Sequence, residues 1–95
     1  MEALIKGFHD KDTEKIFLGT RVRKFRAIQD AAEETLMSLH AAASLNDLAA
    51  LPSNRLEKLK GNRKGQYSIR VNDQFRVCFE WKEADAYRVE LVDYH

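Results

Sequence analysis

Asp93-Tyr94-His95 sets an acid, a phenol and an imidazole side by side, directly after a strand-like run over residues 87–92. Histidine is the one side chain that ordinarily titrates near neutral pH. A tyrosine hydroxyl can donate or accept a proton. Such groups do chemistry only beside something that holds the reacting molecule, and two arginines offer that. Arg70 and Arg76 flank Asn72-Asp73, a pair that suits a tight two-residue turn. A guanidinium grips a phosphate through two parallel N–H donors, which an ammonium does less well. Gly61-Asn62-Arg63-Lys64-Gly65 adds a glycine-bounded basic loop just upstream, entered through Lys60. An incidental polar strand end and a solvated basic loop are the plain alternatives.

Charge is unevenly spread. The formal net charge is +1. Yet residues 55–76 carry Arg55, Lys58, Lys60, Arg63, Lys64, Arg70 and Arg76 against only Glu57 and Asp73. The segments on either side are net acidic. A basic block of this kind points to an anionic partner. Like charges facing each other across a hairpin destabilise it, and a polyanion would relieve Arg70 and Arg76. A second basic cluster, Arg21-Val22-Arg23-Lys24-Phe25-Arg26, opens the longest helix.

The elements that must position these groups follow from periodicity. The 95 residues are 44% hydrophobic and 33% charged, enough for a single domain with one modest core. Residues 2–8 read as a first strand. Asp10 and Asp12 can cap a short helix over residues 13–18, which Gly19 ends. Phe25, Ile28, Ala32, Leu36, Leu39 and Ala43 recur at helical spacing and define one continuous core-facing stripe. Pro52 then divides an α-rich half from a β-rich half. Residues 54–59 are a strand candidate. Over residues 66–71, Tyr67, Ile69 and Val71 alternate with Gln66, Ser68 and Arg70. Over residues 74–81, Phe75, Val77, Phe79 and Trp81 point inward, with Gln74, Arg76, Cys78 and Glu80 outward. Tyr87, Val89 and Leu91 share the inner face of a last strand. The expected fold class is α+β, an antiparallel sheet with one face on the helices and one polar face.

Several classes are disfavoured. There is no apolar run of about 18 residues to span a membrane. The start lacks the layout of a signal peptide, so a cytoplasmic location is expected. Cys78 is the lone cysteine and reads as a small buried hydrophobe. No spacing suggests a metal site or a nucleotide-binding glycine loop, and no cofactor is expected. His9 and His40 lack convincing partners and read as structural.

Taken in order, Leu59-Lys60-Gly61, Tyr67-Ser68-Ile69-Arg70-Val71-Asn72-Asp73, Arg76-Val77-Cys78-Phe79 and Asp93-Tyr94-His95 resemble the HigB-type toxins of bacterial toxin–antitoxin systems, in the RelE/ParE superfamily. The resemblance spans nearly the whole chain and is strongest over residues 55–95. It implies a microbial-RNase-like fold, a curved antiparallel sheet with N-terminal helices on one face. It implies an endoribonuclease that enters the ribosomal A site and cuts translated mRNA, with the ribose 2′-hydroxyl as nucleophile and no metal. It also implies a HigA-type helix-turn-helix antitoxin as partner, and operator DNA bound through the pair. Carried over by position, Arg76 would hold the scissile phosphate. Asp93, Tyr94 and His95 would belong to the catalytic end, and Lys60, Arg63, Lys64 and Arg70 would face RNA. Glu57 departs from the best-known relatives, which carry histidine there; it would replace that base or only set local polarity. Two other functions fit the same superfamily: a non-catalytic ParE-like toxin acting on gyrase, and a weakly active relative serving as co-repressor. The antitoxin is expected on the helical half or the first strand.

Overall fold

Asp10 starts the first helix by a side-chain cap, its carboxylate accepting from the Thr13 amide at 3.0 Å and the Thr13 hydroxyl at 2.8 Å. This helix, α1, covers Lys11–Phe17, and Gly19 closes it at φ 86°. Asp12 lies in its first turn, where a carboxylate suits the helix dipole. The computed structural model describes residues 5–93 of the chain. Of the strand expected over residues 2–8, the described part touches the sheet as two isolated parallel bridges, Ile5 with Ala86 and Phe8 with Val89.

The apolar stripe makes the second helix, α2, over Gln29–Ala41, with Ala32, Leu36 and Leu39 buried. It differs from expectation at both ends. Arg23–Ile28 is a 3₁₀ turn with a kink at Phe25, not the opening of one continuous helix. Gln29 is the reason. Only 1% exposed, its amide accepts from the Val22 N–H at 3.1 Å and donates to the Thr20 carbonyl at 2.9 Å. The chain before α2 is thereby folded back onto the helix. At the far end Ala42 turns extended at ψ 134°, so Ala42 is buried and Ala43, placed on the stripe by its spacing, is exposed. A short helix, α3 (Leu45–Ala49), capped by Ser44, and a 3₁₀ turn at Pro52–Asn54 lead to the sheet.

Four antiparallel strands follow in chain order: β1 (Glu57–Lys58), β2 (Gln66–Arg70), β3 (Phe75–Lys82) and β4 (Asp85–Asp93). Ile69, Val77, Phe79, Val89 and Leu91 pack with α2 in one core. The strand expected at 54–59 shrinks to two residues because Arg55 adopts a left-handed conformation, φ 45°. The turns also exchange roles. Between β2 and β3 the loop has four residues, Val71, Asn72, Asp73 and Gln74, and the Asn72 carboxamide accepts from the amides of Gln74 and Phe75. That side-chain turn stands in for the positive-φ pair. The two-residue turn with both φ values positive occurs instead at Glu83-Ala84, between β3 and β4.

A bulge reshapes β4. Cys78 pairs with Glu90 and Glu80 with Tyr87, so Arg88 and Val89 together oppose Phe79. Arg88 takes φ 52° to allow it. The parity of the strand changes there. Tyr87, expected beside Val89 and Leu91, faces the polar side with Glu80, while Ala86 joins Val89 in the core.

The outer edge of β4 is covered rather than left open. Residues 5–9 run along it, through Lys6 N–H to the Ala86 carbonyl (2.8 Å) and His9 N–H to the Val89 carbonyl (2.9 Å). Thr13, fully buried, then accepts the Leu91 amide at 3.0 Å. One hydroxyl thus fixes α1 to the sheet. Thr13→Ala should destabilise the fold by about 1–3 kcal/mol, because the Leu91 N–H loses its acceptor in the interior; Thr13→Ser should recover most of it. Urea denaturation midpoints measure both, and an unchanged midpoint for the alanine variant refutes the role.

Candidate active site

Arg76, the second residue of β3, leaves the sheet on the face opposite Phe75 and Val77, away from the core. Alternation predicts this, but it predicts an outward and solvated side chain. The side chain is instead buried, at 8% exposure for the residue. A cation withdrawn from water requires partners, and β1 and β2 supply them. Nε donates to Ser68 Oγ at 2.8 Å, and Nη2 donates to the Arg55 carbonyl and, at 3.4 Å, to the Ser68 carbonyl. Glu57 Oε1 lies 3.2 Å from Nη2. The left-handed turn at Arg55 aims its carbonyl at the guanidinium.

Arg70 sits directly opposite Arg76 in the ladder, as the hairpin predicts. Each of the two like charges is met by an acid: Asp73 pairs with Arg70 and Glu57 with Arg76. A depression of about 250 Å³ opens between them, lined by Arg55, Arg70, Asn72, Asp73 and Arg76. Three of its five walls are arginine, so it suits an anion small enough to displace a carboxylate from one guanidinium.

The remaining predicted residues divide. Glu57 reaches the arginine cluster; Asp93 does not reach it within the ladder. Asp93 is paired with Phe75, on the helix side of the last strand position, and its carboxylate accepts from Gln74 Nε2 at 3.1 Å. Tyr94 and His95 lie outside the described residues. Arg63 folds back onto the sheet, donating to Glu90 at 3.2 Å and to Gln66 at 3.0 Å. Lys60 and Lys64 project from the loop, exposed. His40 is structural: its Nδ1 accepts the Ile5 amide at 3.3 Å and its ring lies 5.0 Å from Phe17. His9 Nε2 stands 3.8 Å from the Glu90 carboxylate.

Sequence reasoning missed Ser68 and the Arg55 carbonyl. Ser68 shares the parity of Arg70 and sits one ladder step from Arg76, which is the signal that could have found it. The backbone twist at Arg55 leaves no such signal. Glu90 joins Arg63 and His9 across the same face.

A family model for the RelE-like toxin HigB of type II toxin–antitoxin systems matches residues 5–95. The chain belongs to that family. Toxin HigB-1 of Vibrio cholerae is 37% identical over 86 residues, covering 88% of this chain and 90% of that protein. Endoribonuclease HigB of Proteus vulgaris is 32% identical over 66 residues, or 70% and 71% of the two chains. Among solved structures, the YoeB dimer of Staphylococcus aureus superposes with a TM-score of 0.58 at 18% identity, covering 100% of this chain and 99% of that one. The likeness to YoeB shows the fold, an α+β RelE-like sheet with helices on one face.

Within this HigB-family site, Cys78 occupies the middle of the polar face and is fully buried. Burial pushes its thiol up from the ordinary range; Arg63 and Arg76 oppose that shift and Glu90 adds to it. The native chain should therefore react with thiol reagents orders of magnitude more slowly than the urea-unfolded chain between about pH 7 and 9. Because the unfolded thiol loses its proton first, stability should decline as pH rises beyond the ordinary thiol value. Equal labelling rates for native and unfolded protein contradict the burial.

Proposed function

We propose that this HigB-family toxin is an endoribonuclease that cuts translated mRNA in the ribosomal A site, with Arg76 holding the scissile phosphate. The observation that carries the reading is the preset guanidinium at the floor of an arginine-lined depression. The printed name of the Proteus vulgaris relative, endoribonuclease, supports it. In the reaction the ribose 2′-oxygen attacks phosphorus and gives up its proton. The bond to the 5′-oxygen breaks, and that oxygen takes a proton. Charge accumulates on the phosphoryl oxygens, where a fixed arginine is worth most.

Arg76 needs little reorganisation for this task. Ser68 and the Arg55 carbonyl hold it whether or not Glu57 remains bound. Glu57 is 53% exposed on its side chain, so it can swing away as phosphate arrives. It then stands beside the reacting group, where a carboxylate can take the 2′-OH proton. Tyr94 and His95 would complete proton transfer, and Asp93 would orient them. Lys60, Lys64 and Arg70 would follow the RNA backbone. Dependence on the ribosome follows from the weak base: correct placement of the messenger can lower a barrier by roughly 7–11 kcal/mol.

A HigA-type helix-turn-helix antitoxin would restrain the toxin, and the pair would bind operator DNA. The fold likeness to a YoeB–YefM toxin–antitoxin complex (TM-score 0.57) is in keeping with an antitoxin partner. Arg76→Ala and Arg76→Lys should each lower mRNA cleavage by about 10²–10³-fold, since neither restores a bidentate grip. Mapping messenger 5′ ends after brief expression reads this directly. Undiminished cleavage by the lysine variant, with the fold verified by thermal melting, rules out the assigned role.

A further inference from the structure

The basic cluster at residues 21–26 lies apart from the cleavage site and has a fixed shape. Arg21, Val22, Arg23 and Arg26 line a cavity of about 550 Å³. Arg23 and Arg26 lie on either side of the kink at Phe25 and border that same cavity. Both are exposed, and neither has an ion pair among the described residues. Two neighbours do have acids: Arg21 lies 3.2 Å from Asp30 and Lys24 lies 3.8 Å from Asp12. Those pairs are open to solvent and are weak competitors for a polyanion.

The arm is built, not loose. Buried Gln29 holds the backbone at Thr20 and Val22, on both sides of Arg21. Buried Phe25 anchors the turn against Phe75, edge to face with ring centroids 5.9 Å apart. Phe75 immediately precedes Arg76 and opposes Asp93. The arm therefore sits at the same end of the sheet as the arginine depression, on the helix side of that end.

We propose that Arg23 and Arg26 form a second RNA-backbone site, which grips a strand continuing past the sheet end from the phosphate held by Arg76. The proposal rests on the RNase reading for its direction, not for its binding chemistry. The phosphates that reach the arm are those of the cut messenger.

The test compares wild type, R23Q/R26Q and R76A in two arms. One measures anisotropy of an uncleavable 2′-O-methyl single strand between about 50 and 200 mM salt. The other pellets the toxin with salt-washed ribosomal subunits. Losing two phosphate contacts should weaken binding at least about tenfold at the low-salt end and reduce the salt slope by about 1.4. Loss in both arms assigns the site to the messenger strand, and loss only on subunits places the contact on ribosomal RNA and overturns the continuous-strand site. Unchanged binding in both arms overturns the proposal, as does wild type that binds neither, or a variant that loses only a co-expressed antitoxin. R76A separates the two readings. Cleavage that survives R76A with binding lost in R23Q/R26Q removes the catalytic assignment alone; the opposite pattern removes the arm alone.

Discussion

A guanidinium drawn out of water on the polar side of the sheet governs the architecture of the β half. Its desolvation is tolerable only with hydrogen-bond acceptors in fixed places. Ser68 must sit diagonally across the β2–β3 ladder, opposite Cys78, which requires the register that also sets Arg70 opposite Arg76. The Arg55 carbonyl must turn inward, which needs a left-handed residue without glycine, at a cost of about 1–2 kcal/mol. That twist in turn limits β1 to Glu57–Lys58 and delivers Glu57 to the guanidinium. A strand of ordinary length at 54–59 would carry the Arg55 carbonyl into the ladder and leave the cation short of an acceptor.

The bulge at Arg88 does complementary work. A flat last strand would keep Tyr87 in the core and leave Ala86 outside. Two residues opposite Phe79 reverse that and bend β4, as a bulge does. Glu90 then stands opposite Cys78, within reach of Arg63 and His9. The polar face is thus tied together from the basic loop to the first described segment by one carboxylate. Arg63 is paired there, so the exposed positive charge of the loop rests on Lys60 and Lys64.

Periodicity carried much of this into view from the sequence alone. The stripe through Ala32, Leu36 and Leu39, and the alternation in β2 and β3, locate the core and both arginines. Three failures fall where a side chain bonds to backbone and overrides local pattern: Gln29 on Thr20 and Val22, Asn72 on Gln74 and Phe75, Arg76 on Arg55; the misplacement of Tyr87 comes from the bulge at Arg88. None of these bonds leaves a periodic trace. The solvated reading of Arg76 failed similarly, because alternation tells the face and not what covers it. Tyr94 and His95, the most suggestive pair in the sequence, lie beyond the described residues.

The ladder parity of β4 is itself informative. Val92 opposes Arg76 and Asp93 opposes Phe75. Asp93 therefore keeps to the side of Phe75 and the arginine arm, where its carboxylate accepts from the turn residue Gln74. Two acids stand at the arginine pair, Asp73 on Arg70 and Glu57 on Arg76, and of the two it is Glu57, half open to solvent, that meets the buried guanidinium.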